Sequence, residues 1–247
     1  MIRSLPVVLL FALAAAGQAS EYFVVRGEVG PSENPGVLAR VVIEAEAANI
    51  SLAGGAEALA EVEFRVADSG HAPGLAYVEN AGELSALLEL RQPDTGRPPY
   101  EFGPPDPGLD FDAWNVSLDG GAVRALDVYA EQGSLHLDLS GMAALDSADC
   151  AVTSGSLVAD LSGEWDHAPA LLRFDVGIGL VELTLPDDVG VRVSVECESG
   201  SREVEGLARH DDGTYRNAAW GESDVNLDIQ LSGGCLADVR LRVASED

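Results

Sequence analysis

The sequence predicts an all-β fold, a β-solenoid built of short two-strand coils with glycine at the corners. A unit of two short strands around a central glycine occurs three times in succession. The central glycines, Gly133, Gly155 and Gly179, are separated by 22 and 24 residues, and a weaker fourth copy is centred on Gly200. A strand-and-turn repeat with a period in the twenties is typical of a solenoid. The three units are Leu126–Gly141, Ala148–Gly163 and Leu172–Pro186.

Apolar residues occupy every second position on both sides of each central glycine. Because successive side chains of a strand point to opposite faces, this alternation places one row inside the coil and one row outside. Glycine suits the corner, where the chain must turn sharply. We therefore expect residues 126–206 to form consecutive coils, each advancing about 4.8 Å. Leu137, Ala159 and Leu183 should then stack in one internal column.

The rest of the chain divides into segments of different composition. Residues 20–36 are expected to be an N-terminal linker, and residues 37–91 contain further strand patterns. Residues 92–109 contain six prolines, which cannot continue a strand ladder, and therefore predict a loop. Residues 110–247 hold the repeats and a pair of closing strands.

Residues 1–19 have the pattern of a secretory signal peptide. Arg3 supplies a positive charge, Leu5–Ala16 is an apolar stretch too short to span a bilayer, and Gly17–Ala19 provides small residues at the usual cleavage positions. We expect cleavage after Ala19. The mature protein would then be exported to the periplasm, the cell surface or the medium.

The composition is strongly acidic. The 247 residues include 42 Asp or Glu and 14 Arg, with no lysine, for a net charge of −28. This charge argues against nucleic acid as a partner, since a nucleic-acid-binding protein needs a basic face. The lack of lysine has two interpretations, a GC-rich genome or a surface adapted to high salt.

The three cysteines, Cys150, Cys197 and Cys235, allow at most one internal disulfide in an exported protein. A Cys197–Cys235 bridge is compatible with the sequence, and so is burial of each cysteine as a small apolar residue. Their spacing matches no zinc motif, and we expect no cofactor.

Candidate catalytic and metal-binding residues are weak. Asp106, Asp110 and Asp112 could gather oxygen ligands around Ca²⁺, but they lack the glycine and distal glutamate of an EF-hand loop. No nucleophile elbow lies between a strand and a helix. The sequence therefore predicts no enzyme.

Four aromatic residues lie beside the proline-rich segment. Their density there predicts a partly exposed contact patch at one end or edge of the solenoid. The alternative is that they seal the open core as a cap. The four residues are Tyr100, Phe102, Phe111 and Trp114.

The strand-glycine-strand units, two of which end in Asp-Leu-Ser-Gly, resemble exported bacterial toastrack domains, found in LiaF-like envelope-stress proteins and in stand-alone versions. Asn217–Gly221, with the sequence Asn-Ala-Ala-Trp-Gly, is similar to a C-terminal motif of that family. The family commonly has Gly-x-Gly at its corners, kept here only at Gly177–Gly179. The resemblance covers roughly residues 37–244 and implies a β-solenoid module of the cell envelope, with no catalytic residues.

Together these observations predict a non-catalytic exported envelope module, structural or partner-binding, of an envelope-stress or adhesin-like type. Its partner would be an envelope protein or a wall component, and the solenoid ends allow self-association. Two alternatives remain open, a polysaccharide-active β-helix enzyme and a Ca²⁺-dependent surface adhesin. The first would need a basic cleft for an acidic polymer, which the scattered arginines make hard to build.

Adaptation to salt makes a direct prediction. If the carboxylates repel one another across the surface, added salt screens that repulsion and stabilises the fold. The thermal midpoint should therefore rise steeply between low and molar NaCl, as followed by circular dichroism. A midpoint that stays flat would leave genome composition as the explanation for the missing lysine.

Overall fold

The structure is a computed structural model that describes residues 2–3, 8–12, 23–32, 36–66, 72–80, 82–93, 111–197 and 199–244. Every regular element in these ranges is a strand, which confirms the all-β prediction. In chain order the strands are β1 (Ile2–Arg3), β2 (Val8–Ala12), β3 (Phe23–Val29), β4 (Leu38–Gly54), β5 (Ala60–Val66), β6 (Gly74–Asn80), β7 (Ser85–Arg91), β8 (Asp112–Leu118), β9 (Val123–Asp138), β10 (Ser147–Asp160), β11 (Leu171–Leu185), β12 (Gly190–Cys197), β13 (Arg202–Glu205), β14 (Ala208–Arg209), β15 (Tyr215–Arg216) and β16 (Asn226–Val243).

Five long strands, β4, β9, β10, β11 and β16, form the body of the solenoid. Each long strand consists of two arms, one before its corner and one after it. The first arm of β4, Leu38–Glu44, pairs with β7, and the second arm, Ala48–Gly54, pairs with β8, so each long strand contributes to two faces. Face 1 runs β6–β7–β4–β9–β10–β11–β16–β12–β15–β14, and face 2 runs β2–β3–β5–β8–β4–β9–β10–β11–β16–β13. Between the long strands all pairing is parallel.

The internal column appears as predicted. Ala159 is the register partner of Leu137 on one side and of Leu183 on the other, and all three side chains are buried. The column extends to Leu52 of β4 and Leu241 of β16. Stacked apolar rows of this kind give a solenoid a continuous core, because each coil buries its inward row against the next.

The order of the coils departs from the prediction at the fourth repeat. β16 inserts between β11 and β12, so the coil formed by β12 and β13 does not stack on the third repeat. The reason lies in the inward row of β16, which includes Leu227, Ile229, Val239 and Leu241 and is long enough to cover both arms of β11. β4 has the equivalent position at the other end, between β9 and the pair β7 and β8.

Three strands lie in segments for which no strand was predicted. β3 falls inside the expected linker, residues 20–36, and pairs antiparallel with β5. β1 and β2 fall inside the expected signal peptide and pair antiparallel with β6 and β3 respectively. The alternation of β3, with Val25, Gly27 and Val29 facing inward, accounts for its place in the sheet.

The corners depend on glycine for two reasons. Gly133, Gly155 and Gly179 have φ values of 123°, 146° and 138°, a region that side-chain-bearing residues rarely adopt. Each also lies against the backbone of the preceding coil, because a Cβ on Gly155 would stand 1.8 Å from the carbonyl oxygen of Gly133 and one on Gly179 would stand 1.7 Å from that of Gly155. No side chain fits between stacked corners.

Alanine substitutions at two glycines compare the cost of a positive φ alone with the cost of a positive φ and a backbone clash together. Gly213 also has a positive φ, 82°, but a Cβ there would meet nothing within 4 Å. Gly213→Ala should cost about 1–2 kcal/mol, the penalty for the left-handed region alone. Gly155→Ala adds a backbone clash, so it should lower the free energy of unfolding by clearly more than Gly213→Ala in urea titrations. Equal losses would show that the stacked corner is not tightly packed.

Candidate binding surface

A groove crosses the outward side of face 2 where two neighbouring strands carry small side chains. Ser51 and Ala53 project outward from β4, and Asn115 and Ser117 project outward from β8. In register, Asn115 lies beside Ser51 and Ser117 lies beside Ala53. Larger side chains stand on both sides, from β5 and from β9. The small residues therefore form a floor between two raised walls.

The groove consists of two adjoining depressions that share Asn115 and Ser117. One, of about 450 Å³, lies toward β9 and β10, and the other, of about 380 Å³, lies toward β3 and β5. The walls of the first include His136, Asp138, Val158 and Asp160. Those of the second include Arg26, Glu28, Glu61 and Glu63.

The groove is acidic. Its lining contains five carboxylates, one guanidinium and one imidazole. The guanidinium belongs to Arg26, which pairs with Glu63 at 2.7 Å. A ligand entering the groove therefore meets hydroxyl and amide groups on the floor and an excess of negative charge along the walls, an arrangement suited to a cationic ligand.

Two of the wall carboxylates also shape the turns that follow their strands. Asp138 accepts a hydrogen bond from the backbone N–H of Ser140 at 3.1 Å, and Asp160 accepts one from the backbone N–H of Ser162 at 2.9 Å. Such side-chain-to-backbone bonds are the usual reason for aspartate in a turn. They explain the repeated Asp-Leu-Ser-Gly sequence without a catalytic role.

Comparison with known proteins assigns the fold to a family. The family model for the N-terminal domain of toast_rack, DUF2154, matches residues 36–184. The chain belongs to the toast_rack family. No curated protein matches the sequence at a significant level.

Two solved structures resemble this toast_rack chain. A candidate cell adhesion protein from Clostridium sporogenes superposes with a TM-score of 0.77, at 18% identity, over 90% of this chain and 100% of that one. A candidate adhesin from Bacteroides fragilis reaches a TM-score of only 0.28, at 8% identity, over 90% of this chain and 98% of that one. The first likeness establishes the shared β-solenoid fold.

In this toast_rack domain the predicted aromatic patch is wrong for Trp114. Trp114 is fully buried and packs edge-on against Phe64, with 5.4 Å between the ring centroids and an interplanar angle of 75°. It lies on the inward side of β8 with Val116 and Leu118, so the alternation of the strand dictates its burial. Phe111 is half-buried just before β8. Tyr100 and Phe102 lie outside the described residues.

The candidate Ca²⁺ ligands are only partly described. Asp112 is buried, and its Oδ2 accepts a hydrogen bond from the side-chain amide of Gln92 at 3.5 Å. The side-chain oxygen of Gln92 also accepts hydrogen bonds from the backbone N–H groups of Glu46 and Ala47. Asp106 and Asp110 lie outside the described residues. Within the described ranges, no cluster of three or more His, Cys, Asp or Glu side chains could hold a metal ion.

The cysteines differ in their surroundings. Cys150 is buried, and desolvation raises the pKa of its thiol well above the ordinary value, so it remains protonated and unreactive. Cys197 is half-buried, and the pKa of its thiol is also raised, chiefly by burial. Cys235 lies in β16, but its side chain is outside the described part of the structure. The Cys197–Cys235 bridge therefore stays a prediction.

Among the residues that the structure describes, no helix is long and apolar enough to cross a bilayer.

Sequence reasoning missed the groove because its floor comes from distant segments. The small outward residues of β4 and β8 are more than 60 positions apart in the chain. Each pair alone looks like ordinary solvated surface, and only the parallel pairing of β4 with β8 places them side by side. The sequence does contain one signal for the groove. In both strands, two successive outward positions carry short side chains.

Substitutions on β8 test which side of the strand supports the fold. Trp114→Ala should lower the free energy of unfolding by about 3–5 kcal/mol, because it leaves a large cavity beside Phe64. Asn115→Ala, at the next residue on the opposite side, should change it by no more than about 0.5 kcal/mol. Urea titration of both variants measures the difference. A small loss for Trp114→Ala would restore the exposed-patch hypothesis.

Proposed function

We propose that this protein is a non-catalytic, exported module of the cell envelope that binds a cationic segment of an envelope protein in the groove on face 2. The observation that supports the proposal most directly is the floor of small side chains, three of the four polar, flanked by five carboxylates. Membership of the toast_rack family and the solenoid fold shared with a candidate cell adhesion protein are consistent with a surface role.

The groove has the dimensions of an extended chain. Its floor is two strands wide, about 10 Å at the usual spacing between neighbours. A peptide in extended conformation could lie there with its backbone over Ser51 and Ser117 and with basic side chains directed to the walls. Charged walls of one sign favour encounter with an oppositely charged partner and reject a like-charged one.

The enzyme alternative has less support. A glycosidase needs two carboxylates free to act as acid and as base or nucleophile. The neighbouring pair Asp138 and Asp160 is already engaged in holding turns. The Ca²⁺-dependent adhesin alternative depends on Asp106 and Asp110, and calorimetry with Ca²⁺ is its direct test.

The proposed binding is tested with a short lysine-rich peptide, labelled for fluorescence anisotropy, and an acidic peptide of the same length. The basic peptide should bind, more weakly as NaCl is raised, because the carboxylate attraction is screened. Ser117→Phe fills the point where the two depressions meet and should raise the Kd by about tenfold, a loss of about 1.4 kcal/mol. Glu61→Gln should weaken binding less, since it removes one charge without changing shape.

The matched control is Ser156→Phe, the same change at an outward position of β10 that lies in neither depression. It should leave the Kd unchanged. If the basic peptide fails to bind, or if both phenylalanine variants weaken it equally, the groove is not the binding site.

A further inference from the structure

The two ends of the solenoid present different strand edges. At one end β13 is four residues long, and its two outward side chains are both glutamates, Glu203 and Glu205. Antiparallel pairing of two such strands about a twofold axis would place like charges opposite each other. Short, charged strands of this kind prevent edge-to-edge association.

At the other end the edge of face 2 is β3, which is seven residues long. In the structure its outer edge is covered by β2, from Val8↔Glu28 to Ala12↔Val24 in antiparallel register. β2 belongs to residues 1–19, which the proposed function removes on export. In the mature protein, as far as that proposal holds, the outer backbone N–H and C=O groups of β3 are therefore open to another strand.

Two copies of β3 that run in opposite directions carry complementary side chains at matching positions. Around Gly27 the strand reads Val25-Arg26-Gly27-Glu28-Val29, with the two valines buried on the inward side and the charged residues exposed on the outward side. A twofold axis through Gly27 would place Arg26 of one copy opposite Glu28 of the other, and Val25 opposite Val29. Both faces of the new pair would then match, two ion pairs outside and two valine pairs inside.

We propose that the mature protein forms a twofold-symmetric dimer through antiparallel pairing of β3 with β3 of a second copy, centred on Gly27. The pairing has the same antiparallel sense as the β2–β3 pairing that the structure already contains at this edge. A twofold axis perpendicular to the sheet makes a strand antiparallel to its own copy, so the edge and the symmetry agree.

The geometry around β3 prepares the pairing. Arg26 is held by Glu63 of β5 at 2.7 Å, so its guanidinium is already oriented on the outward side. Gly27, at the axis, faces inward, where a Cβ would stand 3.1 Å from Leu75 and Val62, so it leaves the outward side of the axis to Arg26 and Glu28. The partner is thus a second copy of this chain, selected by the order of its charges rather than by apolar area alone.

The test begins with the full gene expressed in a bacterium that secretes the product, followed by intact mass measurement of the purified protein. Cleavage after Ala19 is expected. Sedimentation equilibrium at about 0.15 M NaCl should then give twice the mass of the processed chain. Arg26→Glu and Glu28→Arg each place like charges across the axis, and each should raise the dimer Kd by about tenfold.

The double variant R26E/E28R restores opposite charges across the axis and should return the Kd to near that of the unmodified protein. Thermal midpoints of all three variants separate loss of folding from loss of pairing. A processed protein that is monomeric, a dimer that ignores both single reversals, or a double variant that fails to recover would overturn the dimer.

These outcomes are distinguishable from failure of the proposed function. Binding of the basic peptide is measured on monomer and dimer alike, so a monomer that binds the peptide contradicts only the dimer. A leader that is retained contradicts export, and it overturns the dimer as well because β2 then covers the edge.

Discussion

The close stacking of corner backbones is the constraint on which the rest of this structure depends. Each corner glycine lies so near the carbonyl oxygen of the preceding coil that a Cβ would overlap it, at 2.0 Å for Gly133 over Ala48 and 1.9 Å for Gly200 over Ala237. Such close approach leaves no freedom for a coil to slide along its neighbour. The register of both arms is thereby fixed from a single point, and a shift of one residue would turn every inward side chain outward.

Once the register is fixed, outward side chains of successive strands lie side by side and form rows that cross the sheet. Along one row of face 2, Glu63, Asn115, Ser51, His136 and Val158 follow one another on successive strands. Side-chain size across that row determines where the surface is raised and where it is low. The groove exists because two adjacent members of the row are small, so the core stacking also determines the shape of the binding surface.

The repeated coils could be predicted from the sequence because the patterns that specify them lie within each repeat. The alternation around Gly133, Gly155 and Gly179 reports directly which side chains face inward, and parallel stacking follows from the repeat. The insertion of β16 was not accessible in this way, since its partners in β11 lie 57 or 58 residues away and the fourth repeat offers β11 a similar apolar row. Trp114 lies close to the proline-rich segment in sequence, but its alternation with Val116 and Leu118 determines its burial.

The scarcity of cations limits what the outer faces can recognise. Arginines on these faces pair with carboxylates of neighbouring strands, as in Arg40 with Asp127 and Arg173 with Asp149. Surface pairs of this kind each contribute little stability, about 0–1 kcal/mol, but they leave few guanidinium groups to meet a partner. Most outward surface therefore repels a second acidic chain. Association between copies is favoured where an arginine and a glutamate occupy matching outward positions on an edge strand, which β3 offers in the proposed mature form without β2 and β13 does not.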